Sequence, residues 1–162
     1  MATVFMIINI VRPEIHDHTL MPALQSVWFI PHVAVYMFSY ALLGCATLLA
    51  IYQFFTRDEI YPAIDRLVYA GVAFFTIGML TGALWAKEAW GEYWSWDAKE
   101  AWAAATWFIY LGAIHLRVMR PRAIRAFCTL LIVGFLSLQM CWYGVNYLPS
   151  ASKSVHSYNR NN

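Results

Sequence analysis

Apolar residues gather into four long runs, at about 32–55, 66–86, 101–117 and 126–147, parted by shorter polar or aromatic segments. At 1.5 Å of rise per helical residue, each run reaches across roughly 30 Å of hydrocarbon. In lipid every backbone N–H and C=O must find its partner inside the protein, and a helix does this within one segment. The pattern predicts an all-α fold, a polytopic membrane helix bundle of about four transmembrane helices. Residues 1–162 read as one transmembrane domain, with an external segment at 12–31 and an external tail at 148–162.

Polar and small residues inside the runs predict how the helices meet. Tyr36, Ser39, Leu43 and Thr47 follow helical spacing along the first run and give it a mildly polar stripe. Gly71, Ala73, Gly78, Gly82 and Ala83 make the second run rich in small side chains, which lets backbones approach closely. Gln139 and Asn146 lie seven apart on one face of the fourth, turned toward protein. Ahead of these spans, residues 1–11 are apolar but too short to cross, and Arg12-Pro13 stops them. They read as the end of a helix whose beginning is missing. Pro22 to Pro31 reads as an interfacial stretch, and His16 and His18 as a solvated loop rather than a metal pair.

Composition agrees: 61% of residues are hydrophobic and 12% charged, far from a soluble average. The net charge of +2 carries little information, and nothing in it suggests a nucleic-acid partner. Its distribution carries more. Arg117, Arg120, Arg122 and Arg125 join the third and fourth runs without an acidic neighbour, which marks that loop as cytoplasmic. The N-terminal segment, the loop after the second run and the tail then fall outside. An inner (cytoplasmic) bacterial membrane is the expected location. Cys45, Cys128 and Cys141 all fall within runs and read as packing residues. The chain has no Cys-x-x-Cys-His, so it carries no covalently attached c-type haem itself.

The external loop is the unusual part. Residues 85–102 hold five of the eight tryptophans, one tyrosine and six charged residues. Indole and phenol rings suit a boundary that is hydrocarbon on one side and wet on the other. Such a shelf would also hold a flat hydrophobic ligand. Asp97 followed by Glu100 three residues on has the form of a capping box opening the third helix, a reading favoured over catalysis. Topology puts His32, at the mouth of the first span, and His156, in the tail, on the same membrane face as this loop. Two histidines beside an aromatic shelf suit axial ligation of a haem iron, and Lys87, Lys99 or Arg12 would meet its propionates. His115 lies within the third span on a face with Ala101, Ala104, Phe108, Leu111 and Gly112. An ionisable residue there points to function, with a hydrogen bond to a neighbouring helix as the alternative.

The run Trp85-Ala-Lys-Glu-Ala-Trp-Gly-Glu-Tyr-Trp-Ser-Trp-Asp-Ala-Lys-Glu100 resembles the tryptophan-rich (WWD) signature of the cytochrome c assembly family of haem-handling membrane proteins. The likeness is closer to the CcsA/ResC branch (system II) than to CcmC. It extends along nearly the whole chain, through Pro31-His32, His115-Leu-Arg117 and Val155-His156-Ser-Tyr158. The resemblance implies that His32 and His156 hold haem b at the outer surface, and that Trp90, Gly91, Tyr93, Trp94, Trp96 and Asp97 contact it. It implies that His115 serves an earlier haem site within the membrane. It also implies delivery to Cys-x-x-Cys-His of an apocytochrome c, thiol-reducing factors, and a CcsB/ResB-like membrane partner, with the chain one component of a haem lyase. Ala98 stands where the family usually has proline, and Ala101 where it has threonine. Additional N-terminal spans are usual in the family. The chain is thus expected to be a fragment, a product of a misplaced start, or half of a split pair. Two other readings stay open on the residues: a b-type membrane electron carrier, and a permease or scaffold without haem.

Overall fold

The computed structural model describes residues 25–56 and 59–143. Four helices occupy them: α1 (Phe29–Gln53), α2 (Tyr61–Trp90), α3 (Ala98–Met119) and α4 (Ile124–Trp142). They form an all-helical bundle, and three of them, α1, α2 and α4, are long and apolar enough to cross a membrane. The 22 residues of α3 give it comparable length, about 33 Å. It falls short in apolarity because Lys99, Glu100, His115 and Arg117 sit on it. The helices begin earlier than the apolar runs do, by three residues at α1 and five at α2, counted from 32 to 29 and from 66 to 61. Polar and interfacial residues continue a helix once its apolar core is placed. Asn146 and His156 lie outside the described residues.

Local signals set the ends. Pro31 and Pro62 fall in the first turns of α1 and α2, where a proline forfeits no helical hydrogen bond. Gly91 closes α2 with φ +87°, a left-handed conformation that favours glycine, and its N–H reaches Lys87 O at 3.1 Å. Asp97 opens α3 with the capping box: Glu100 N–H donates to Asp97 Oδ1 at 2.8 Å, and Asp97 N–H donates to Glu100 Oε2 at 3.4 Å.

The most extensive packing joins α1 to α2 and α3 to α4, with α1 against α4 next and α2 against α3 after it. Glycine makes the first interface. A Cβ on Gly71 would stand 2.6 Å from Leu43 Cδ2, and one on Gly78 would stand 2.5 Å from Tyr36 Cδ2. Ser39 Oγ donates to Gly71 O at 2.8 Å across this interface, while Thr47 Oγ1 donates back to Leu43 O in its own helix. Between α3 and α4, Thr106 and Ser137 share a hydrogen bond of 2.8 Å beside the buried Tyr110. Gln139 Nε2 donates to the Tyr40 hydroxyl, tying α4 to α1. Outward-facing Phe38, Leu48, Leu80, Phe108 and Leu136 give the bundle an apolar exterior suited to lipid.

Candidate functional site

All four helices contribute to one end of the bundle, and the Trp-rich loop lies across it. A partly open cavity of about 330 Å³ lies there. Its walls come from the start of α1 (Phe29, His32, Tyr36), the end of α2 (Gly82, Trp85), the loop (Tyr93, Trp94), the start of α3 (Lys99, Glu100) and the end of α4 (Cys141, Trp142). The volume lies at the lower end of the range of small-molecule sites, and the walls are mostly apolar with a few polar groups, as such sites commonly are.

His32 is held on three sides. Its ring stacks on Trp85 with centroids 5.4 Å apart and planes 22° apart, and meets Tyr36 edge-on at 4.9 Å. Its Nδ1 lies 2.9 Å from Gly78 O. A carbonyl only accepts, so this contact places the hydrogen on Nδ1 and, in the neutral ring, the lone pair on Nε2. Gly82 makes the arrangement sterically feasible, because a Cβ there would stand 2.6 Å from His32 Cε1. Three residues of α2, Gly78, Gly82 and Trp85, thus position one imidazole at the cavity wall.

The loop is anchored from both ends. Trp90 packs on Trp85 at 4.7 Å, and Lys87 Nζ donates to Gly91 O at 2.7 Å while lying 5.2 Å from the Tyr93 ring centroid. On the other side, Glu100 Oε2 accepts from Ser95 N at 2.7 Å as well as from Asp97 N. Between these anchors Trp96 adopts φ +58°, a left-handed conformation costly for a bulky side chain, and stands 73% exposed. Its ring meets that of Trp94 at 5.7 Å.

Of the loop residues singled out from the sequence, Tyr93 and Trp94 line the cavity, whereas Trp90, Gly91, Trp96 and Asp97 do not. Trp90 and Gly91 end α2, Asp97 caps α3, and Trp96 faces outward. His32 lines the cavity and His156 is outside the described residues. His115 is exposed on the outer side of α3 and takes no part in this site. Ala101, Phe108 and Gly112 are exposed with it, and a Cβ on Gly112 would touch nothing within 4 Å. Sequence reasoning missed Phe29, Cys141 and Trp142 as cavity walls. The signal was present for Trp142, an aromatic residue near the end of its run.

A family model described as cytochrome C assembly protein matches residues 1–152. The chain belongs to the cytochrome c assembly protein family. Relatives named cytochrome c biogenesis protein CcsA include one from Chlamydomonas reinhardtii, 39% identical over 86% of this chain and 42% of its own length. One from Guillardia theta is 34% identical over 86% of this chain and 56% of its own length. One from Nicotiana tomentosiformis is 34% identical over 90% and 59%. The chain spans about half the length of the curated relatives it matches.

Proposed function

We propose that this family member takes part in cytochrome c biogenesis by holding haem b in the cavity at the loop end and exposing it at the outer face of a bacterial inner membrane. The observation that carries the reading is His32: an imidazole fixed through Nδ1 on Gly78 O, at the wall of an aromatic cavity roofed by Tyr93 and Trp94. Fixing one ring nitrogen on a carbonyl in this way orients the other toward a metal. Haem as substrate supplies an iron for that imidazole and vinyl groups to which the thiols of an apocytochrome Cys-x-x-Cys-His add. The residues of this chain bind and orient. His32 offers Nε2, with His156 as the second external ligand, while Tyr36, Trp85 and Trp94 supply ring faces and edges. Trp96 stands outward, where the apocytochrome would approach. His115, away from this cavity, serves a separate intramembrane haem position completed by a CcsB/ResB-like partner. Holding haem near the incoming thiols supplies proximity and orientation, and separate thiol-reducing factors keep those thiols available.

The test is the reduced absorption spectrum of detergent-purified wild type, His32→Ala and His156→Ala. Substoichiometric b-type haem in the wild type is expected, weakened or spectrally altered by each substitution. A folded wild type that holds no haem, alone or with its partner chain, removes the reading. Transfer of haem to an apocytochrome c separates assembly from electron carriage.

A further inference from the structure

Polar groups around the cavity divide into those already engaged and those that are not. The carboxylate of Glu100 accepts from Ser95 N at 2.7 Å, Ser95 Oγ at 3.2 Å and Asp97 N at 3.4 Å, and is committed to holding the loop. Lys87 is committed too, to Gly91 O and the Tyr93 ring. Lys99 differs. It lines the cavity half-buried and pairs with none of the carboxylates among the described residues. Trp94 differs as well: its Nε1 is buried and has no hydrogen-bond partner among the described residues. Buried N–H groups are rarely left without an acceptor.

We propose that Lys99 and the indole N–H of Trp94 form a carboxylate-binding subsite within the cavity. The proposal rests on the haem reading for the ligand's identity and adds how the ligand is oriented. One ammonium and one neutral donor, set in apolar walls, match a single negative charge with two acceptor atoms. A phosphate near neutral pH carries more charge than one lysine balances in so apolar a setting. A planar, hydrophobic ring bearing a carboxylate is the chemistry that uses every part of the cavity: ring faces for the macrocycle, His32 for its metal, and Lys99 with Trp94 for one propionate. Charge-assisted hydrogen bonds then set which edge of the ring lies near α3. The backbone carbonyl of Lys99 accepts from Cys141 Sγ at 3.4 Å, which ties the start of α3 to the end of α4 at the cavity wall.

The experiment titrates the detergent-purified full chain with haem and with haem dimethyl ester, in which both carboxylates are capped as neutral esters, following the Soret band. Wild type is expected to bind haem roughly tenfold more tightly than the diester. Lys99→Met should bring that ratio close to one by weakening haem rather than strengthening the ester, and Lys99→Arg should keep it. Trp94→Phe, which keeps the ring and removes the N–H, should lower the ratio by a smaller factor. Equal binding of both ligands by the wild type overturns the subsite while leaving the haem reading intact. So does full discrimination by folded Lys99→Met. Binding of neither ligand overturns the haem reading and the subsite with it.

Discussion

The two ends of the bundle handle charge in opposite ways. At the end away from the Trp-rich loop, the start of α2, the end of α3 and the start of α4 meet without a cavity of useful size. Arg117 there chelates Asp65, with Nε–Oδ1 and Nη2–Oδ2 both at 3.0 Å. Its guanidinium also lies 4.9 Å from the Tyr61 ring centroid and donates through Nη1 to Pro121 O. All three guanidinium nitrogens are engaged internally, and the planar fork of arginine suits that task better than lysine would. At the loop end, the helices surround about 330 Å³ of open space, and Lys99 and the Trp94 N–H lack partners among the described residues. A closed end fixes helix positions; an open end keeps donors for something that arrives. Stability and binding should therefore separate along the bundle axis.

The largest effect expected is from Arg117→Ala. It strands a mostly buried carboxylate and should cost roughly 3 kcal/mol of stability, read as an earlier unfolding transition in detergent. The haem spectrum of the surviving folded protein should be unchanged, and a changed spectrum would break the separation. Next come two glycines on one face of α2 that face equally close neighbours. Gly71→Ala drives a Cβ toward Leu43 and should cost about 1–3 kcal/mol without altering bound haem. Gly82→Ala drives one toward His32 and should weaken or alter haem binding more than it lowers stability. If both variants act alike, the two ends are not distinct. Asp97→Ala removes the cap of α3 and should cost about 1 kcal/mol, seen as a lower melting temperature, with a further loss of affinity as the loop loosens. His115→Ala, exposed on α3, should change stability by no more than about 0.5 kcal/mol and leave ligand binding in the His32 cavity unaltered. A large loss in that cavity would join two regions the structure keeps apart.

Chain periodicity was enough to read four helices, the aromatic loop between α2 and α3, and the capping box of Asp97 and Glu100, because each depends on neighbours close in sequence. The small residues of α2 also announced a close helix contact. What they approached was not legible. That Gly71 receives Leu43, Gly78 receives Tyr36 and Gly82 receives His32 follows from the register of α1 on α2, a long-range match between stretches tens of residues apart. The loop shows the same division. Its composition announced an aromatic shelf, yet only Tyr93 and Trp94 of the six residues singled out line the cavity. Trp90, Gly91 and Asp97 were claimed by the local demands of ending one helix and starting the next, and Trp96 turns outward. Three lysine or arginine candidates were equivalent in sequence. In the structure Lys87 is spent on Gly91 and Lys99 is not, while Arg12 lies outside the described residues. Sequence by itself determined the family, the helices and the chemistry on offer. The tertiary structure alone decided which of those groups face one another, because a side chain's partners depend on helix rotation and register, and these are set by packing summed over the whole bundle.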